Sequence, residues 1–136
     1  MSNHCTIYAE MHLIFDNDFD VYSITKRLGI APSECKLRNE TRMSPLTNKP
    51  IEGFWTLKTE EKEERDLSVV LNELIENISD KLSDIKKICD ENGGTVVFDI
   101  IPFFDDDSKP ALYFERDFLD IVNYLNATIQ LDLYTR

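Results

Sequence analysis

Between Asp66 and Cys89, the residues Leu67, Leu71, Leu74, Ile78, Leu82, Ile85 and Cys89 step by three and four positions and draw a single apolar stripe. A continuous helix over 66–91 would be about 39 Å long. A compact chain of 136 residues has a radius of gyration near ~14 Å and is roughly 37 Å across. The segment must therefore cross the whole molecule or break, and Ser79-Asp80 offers a cap residue where a second helix can restart. Asn92-Gly93-Gly94 ends it.

The rest of the chain supplies strands for that stripe to lie on. Thr6 to Phe15 alternates, with Ile7, Ala9, Met11, Leu13 and Phe15 on one face and Thr6, Tyr8, Glu10 and His12 on the other. The polar turn Asp16-Asn17-Asp18-Phe19-Asp20 leads into a short helix over about 20–28, carrying Val21, Ile24 and Leu28 and closed by Gly29. Cys35 to Arg38 is a candidate short strand, Met43 to Pro50 a loop, and Gly53 to Lys58 an aromatic-rich strand. Thr95 to Phe104 is apolar on both faces, with only Asp99 interrupting one of them, as a central strand would be. Pro102 predicts an end or a bulge there, and Leu112 to Phe114 a short returning strand. Glu115 to Leu125 carries a helical stripe. Thr128 to Tyr134 alternates again, with Ile129, Leu131 and Leu133 inward and Thr128, Gln130, Asp132 and Tyr134 outward. The order β-α-(β)-β-α-β-(β)-α-β predicts an α/β (α+β) domain spanning 1–136, with a mainly antiparallel sheet and helices packed on one face.

Charge narrows the partners. There are 26 acidic against 15 basic side chains, a net charge of −11, so nucleic acid and anionic lipid are disfavoured and a basic protein is favoured. No apolar run approaches the roughly 20 residues of a membrane span, and no secretory signal pattern opens the chain. Three dispersed cysteines, Cys5, Cys35 and Cys89, fit a reducing, cytoplasmic setting.

Several segments coincide with a family pattern. They are Ile24-Thr25-Lys26-Arg27-Leu28-Gly29-Ile30-Ala31-Pro32, Asn39-Glu40, Gly53-Phe54-Trp55-Thr56-Leu57, the long amphipathic segment, and the closing Ile129-Gln130-Leu131-Asp132-Leu133-Tyr134. On these the chain resembles the bacterial domain-of-unknown-function 4279 family over about 10–134, departing from it where Asn39-Glu40 stands in place of the more usual Gly-Glu. The resemblance implies a compact α/β domain and transfers no catalytic residue.

Each polar constellation has a structural and a functional reading. Asp16, Asp18 and Asp20 begin like an EF-hand loop, but Val21 and Arg27 occupy the positions that need Gly and a bidentate Glu, so they read as caps. Asp105, Asp106 and Asp107 could hold a cation with Asp99, yet a consecutive acidic run is ordinarily solvated. His4 and His12, on one strand, are roughly 26 Å apart at about 3.3 Å per residue and cannot share an ion with Cys5. His12 would share a polar sheet face with Tyr8 and Glu10, and Gln130, Asp132 and Tyr134 join it if the first and last strands are neighbours; His12 beside Asp132 could then act as a base. Trp55 reads as core or as an exposed anchor. No nucleophile motif or phosphate cradle accompanies these residues, so the sequence assigns no catalytic residue, no metal ligand and no cofactor. The functional expectation is a non-enzymatic protein-binding domain, an immunity-type inhibitor of a basic toxin or nuclease domain. It would attract its partner through Glu60, Glu61, Glu63, Glu64, Asp105, Asp106 and Asp107. The alternative is a small-molecule or cation-binding module with His12, Asp99 or Trp55 lining a pocket.

Overall fold

The computed structural model describes residues 4–41 and 52–135. In chain order its elements are β1 (Thr6–Phe15), α1 (Tyr22–Leu28), β2 (Glu34–Lys36), a 3-10 turn (Arg38–Glu40), β3 (Gly53–Lys58), β4 (Lys62–Glu63), α2 (Leu67–Ile78), α3 (Leu82–Asn92), β5 (Gly94–Phe104), α4 (Arg116–Leu125), β6 (Thr128–Leu131) and β7 (Tyr134–Thr135). The strands form one sheet in the order β2-β3-β1-β5-β6, with β4 beside β1 and β7 beside β5. It is mainly antiparallel; only β6 and β7 run parallel, both to β5.

The alternation in β1 does what its period of two dictates. Ile7, Ala9, Met11, Leu13 and Phe15 are buried, while Thr6, Tyr8, Glu10, His12 and Ile14 are half-buried on the other face. β5 pairs with β1 from Thr6↔Phe103 to Phe15↔Gly94, so Val96, Phe98 and Ile100 join the same buried side. The helices pack there. Phe118 of α4 meets Phe98 edge-on at 5.2 Å, and Trp55, fully buried on β3, donates its indole N–H to Thr25 Oγ1 of α1 at 3.0 Å.

Of the two outcomes open to the long stripe, crossing the molecule or breaking, the structure shows the break. α2 ends at Ile78 with Ser79 as its C-cap, and the Lys81 amide bonds back to Ile78 O at 2.9 Å before α3 begins. Each half is then under about 20 Å long and fits across the sheet. Asp66 starts α2 by accepting the Ser68 amide at 2.9 Å. Gly93 ends α3 at φ 69°, a left-handed conformation that other residues adopt only with strain.

Some expectations need correction. Pro102 neither ends β5 nor bulges it. Ile100 O accepts the Asp132 amide, so residues 100 and 102 face the β6–β7 side, where pairing stops at Leu131 and resumes at Tyr134; the missing N–H falls in that gap. Leu112 to Phe114 forms no strand, only an isolated bridge between Ala111 and Asp66 nearby. The C-terminal alternation holds for Ile129, which packs against the core, but Leu131 and Leu133 are 41% and 51% exposed because the helical layer stops short of them. Within the acidic run 60–64, Lys62–Glu63 forms a short strand, β4, paired with β1. First and last strands are not neighbours, since β5 lies between them. The loop expected over Met43 to Pro50 lies outside the described residues. No helix among the described residues is long and apolar enough to cross a membrane.

The one-sided core gives a direct contrast. Leu74→Ala, at a fully buried position of α2, is expected to cost about 2–5 kcal/mol, and Leu119→Ala, 43% exposed on α4, no more than about 0.5 kcal/mol. Urea denaturation midpoints of the two variants test the assignment of faces.

Candidate functional site

The helices occupy one side of the sheet, and the same strand register turns a second set of side chains to the other. From β1 come Glu10, His12 and Ile14, from β3 Phe54 and Thr56, and from β5 Val97 and Asp99. All of these but Glu10, together with Gln130, Glu34 and Glu52, line a concavity of about 340 Å3. Its apolar floor is Ile14, Phe54 and Val97. Its charged lining among the described residues is His12, Glu34, Glu52 and Asp99, with no lysine or arginine among them.

Two strands concentrate three donors at one edge of this concavity. Glu10 lies directly across from Asp99 in the β1–β5 register, and His12 is two residues further along the same face. Donor atoms of Glu10, His12 and Asp99 all lie within 4.8 Å of one another. His12 Nε2 is 3.7 Å from Glu10 Oε2, and its other ring nitrogen shares a 2.7 Å hydrogen bond with Thr56 Oγ1. Thr56 is itself buried, so the ring is held from behind while Nε2 faces the carboxylates.

Asp99 is the unusual member. Its Oδ1 is buried with no N–H or hydroxyl of the described residues in hydrogen-bond reach. Glu73 Oε2 is also buried without a hydrogen bond, but Lys62 Nζ stands 3.4 Å from it. Among the described residues Asp99 has no such lysine or arginine. Burial, then a hydrogen bond shared with Asp132, then the charges of Asp132 and Glu10 push its carboxyl up to about 7. His12 moves the other way: burial lowers its pKa, against the pull of the Glu10 and Glu34 carboxylates. A buried carboxyl oxygen beside a second carboxylate, with no N–H or hydroxyl of the described residues to neutralise it, binds a proton or a cation.

The fold separates some of the residues grouped from the sequence and joins others. His12 and Asp132 are not on adjacent strands; Asp99 of the intervening β5 stands between them and shares the hydrogen bond with Asp132. Gln130 lines the concavity and donates to Asp132 Oδ2 at 3.3 Å. Tyr8 and Tyr134 sit further along the open face and sandwich Phe103, with centroids 6.3 and 4.9 Å from it. Lys58 Nζ rests 4.2 Å from the Tyr8 ring centroid. Trp55 is core and does not line the concavity. Asp20 accepts the Tyr22 amide at the start of α1, a capping role. His4 bonds Glu63 at 3.0 Å. Glu34, Glu52 and Thr56 went unrecognised in the sequence, where nothing in their own segments marks them. Asp99 was visible as the one charge in an apolar strand.

Asp99 makes stability pH-dependent in a defined direction. Its folded pKa of about 7 lies above the ordinary 3.8, so between those values the folded chain binds more protons than the unfolded one and stability falls as pH rises. Asp99→Asn abolishes this loss. In urea titrations with EDTA present, the variant should gain on the parent protein between about pH 4 and pH 8, with no gain below that window. An equal difference at both ends would contradict the assignment.

The sequence profile of the family described as Domain of unknown function (DUF4279) matches residues 6–136. No curated protein and no solved structure is significantly similar to the chain.

Proposed function

The chain belongs to the DUF4279 family, and we propose that it is a binding module whose site is the open, concave face of its sheet and whose ligand is cationic. The observation that carries this reading is the composition of the concavity: Glu34, Glu52 and Asp99, one histidine and, among the described residues, no lysine or arginine around an apolar floor. Such a lining attracts positive charge and repels anions, and a volume of about 340 Å3 suits a metal ion or a small organic ammonium ion. Thermal-shift measurements with divalent metal chlorides, choline and putrescine, set against sodium citrate and sodium phosphate, test it. A cation at a hundred times its dissociation constant should stabilise the fold by about 2.7 kcal/mol and shift the His12 ring signals in NMR spectra. Stabilisation by the anions alone, or by none of the compounds, would refute the reading.

A second reading, an immunity-type inhibitor of a basic toxin or nuclease domain, is favoured by a separate observation. The two acidic stretches converge on the start of β1: Glu63 pairs with Thr6, the Glu64 amide bonds to Cys5 O, and Ser108 Oγ bonds to His4 O. Not all of these acids are free. Glu64 accepts the Arg65 and Asp66 amides, Glu63 holds His4, and Asp105 accepts from Ser108 Oγ. Glu60, Glu61, Asp106 and Asp107 are exposed and would supply the attractive field. Replacing these four by their amides should slow association with a basic partner and flatten its salt dependence, leaving the circular dichroism spectrum unchanged. Unaltered association kinetics would dismiss this reading.

A further inference from the structure

We infer that Glu10, His12 and Asp99 form a binding site for a divalent transition-metal ion of the Zn2+ class. This deepens the reading of the open face as a cation site and rests on it. A tetrahedral ion with bonds of about 2.0–2.2 Å holds its donors about 3.4 Å apart. His12 Nε2 and Glu10 Oε2 are already 3.7 Å apart, and the whole triad lies within 4.8 Å, a spread that side-chain rotation alone closes.

Three further features point to an ion. Asp99 Oδ1 is buried beside Glu10 with no N–H or hydroxyl of the described residues in hydrogen-bond reach, so among those residues it lacks the positive partner that a buried carboxylate requires. Thr56 holds the far nitrogen of His12 at 2.7 Å, the outer contact that orients a ligating imidazole. All three donors come from paired positions of the central strands β1 and β5 rather than from loops, so the triad is preorganised.

The donor chemistry selects the ion. One imidazole nitrogen and two carboxylate oxygens suit Zn2+ and its first-row neighbours, whereas Ca2+ and Mg2+ take all-oxygen shells. No thiolate takes part, because Cys5 and Cys89 are buried in the core and Cys35 pairs with Trp55 on the helical side of the sheet. Three protein ligands leave a further coordination position for solvent or a bound molecule.

The test is isothermal titration of the tag-free full chain with zinc chloride, and with cobalt chloride followed by visible absorption. One Zn2+ per chain is expected, with magnesium chloride unable to compete. Bound Co2+ should show ligand-field bands without a thiolate charge-transfer band. Glu10→Gln, His12→Gln and Asp99→Asn should each weaken binding at least about tenfold, and Thr56→Val by about 10–100-fold, with folding verified by circular dichroism. His4→Ala and Cys35→Ser should leave it unchanged. Absence of zinc binding, or binding that survives the three ligand variants, overturns the metal site. Should a variant not fold, the cobalt spectrum of the unaltered protein still distinguishes a nitrogen-and-oxygen site from none. If zinc is silent while choline or putrescine still moves the His12 ring signals, the metal inference falls and the cationic face stands. If all are silent, both fall.

Discussion

The register between β1 and β5 is the constraint on which the rest of the structure depends. It places Ile7, Ala9, Met11 and Leu13 beside Ile100, Phe98 and Val96 on one side of the sheet, and a slip of one residue would turn that whole set to solvent. Burying each such side chain stabilises the fold by about 1.5–3 kcal/mol. The same register sets Glu10 against Asp99, an opposition that is unfavourable whenever both carboxyl groups are charged. The core wins by a wide margin. Two carboxyl groups therefore face each other because the apolar residues on the reverse of the strands allow no other pairing.

That opposition gives the open face its chemistry. Helices cover one side only, so the other keeps half-buried polar groups in a shallow concavity, where charges are poorly solvated yet still reachable. Asp99 responds by holding its proton up to about 7 and sharing it with Asp132. His12, fixed by Thr56, is biased toward its neutral form by burial. A neutral imidazole beside carboxyl groups that lack a basic partner is a cation receptor in its elementary form.

The acidic ends of the molecule have a different physical basis. Glu60-Glu61 follows Thr59, whose amide and hydroxyl both bond to Ala9 as β3 gives way to β4, and Asp105 to Asp107 turn just beyond β5. Part of their charge serves the turns themselves, as in Asp105, whose carboxyl is held below its usual range by Ser108. Long-range attraction needs only net negative charge and tolerates such local use, whereas ligand binding at the concavity depends on the position of every donor.

Local periodicity was enough to read most of the fold from the chain. The alternation of Thr6–Phe15, the single stripe of 66–91 and the caps at Asp66 and Gly93 are set by neighbours a few residues away, so the sequence by itself determined these elements, their buried faces and the one-sided α+β layering, while whether the stripe crossed the molecule whole or broke at Ser79-Asp80 stayed open. The family was legible too, since its pattern consists of such local segments. Strand order was not. Whether β1 or β5 adjoins the last strand depends on contacts between residues far apart in sequence, which is why His12 was matched with Asp132 when Asp99 stands between them. The break after Leu131 and the tolerance of Pro102 have the same origin, since only the paired sheet reveals which side of β5 lacks a partner. Glu34, Glu52 and Thr56 carry no local mark of their role. Only the tertiary structure, by closing the β1–β5 and β1–β3 registers, could bring them to one concavity with His12 and leave Asp99 Oδ1 without an N–H or hydroxyl donor among the described residues.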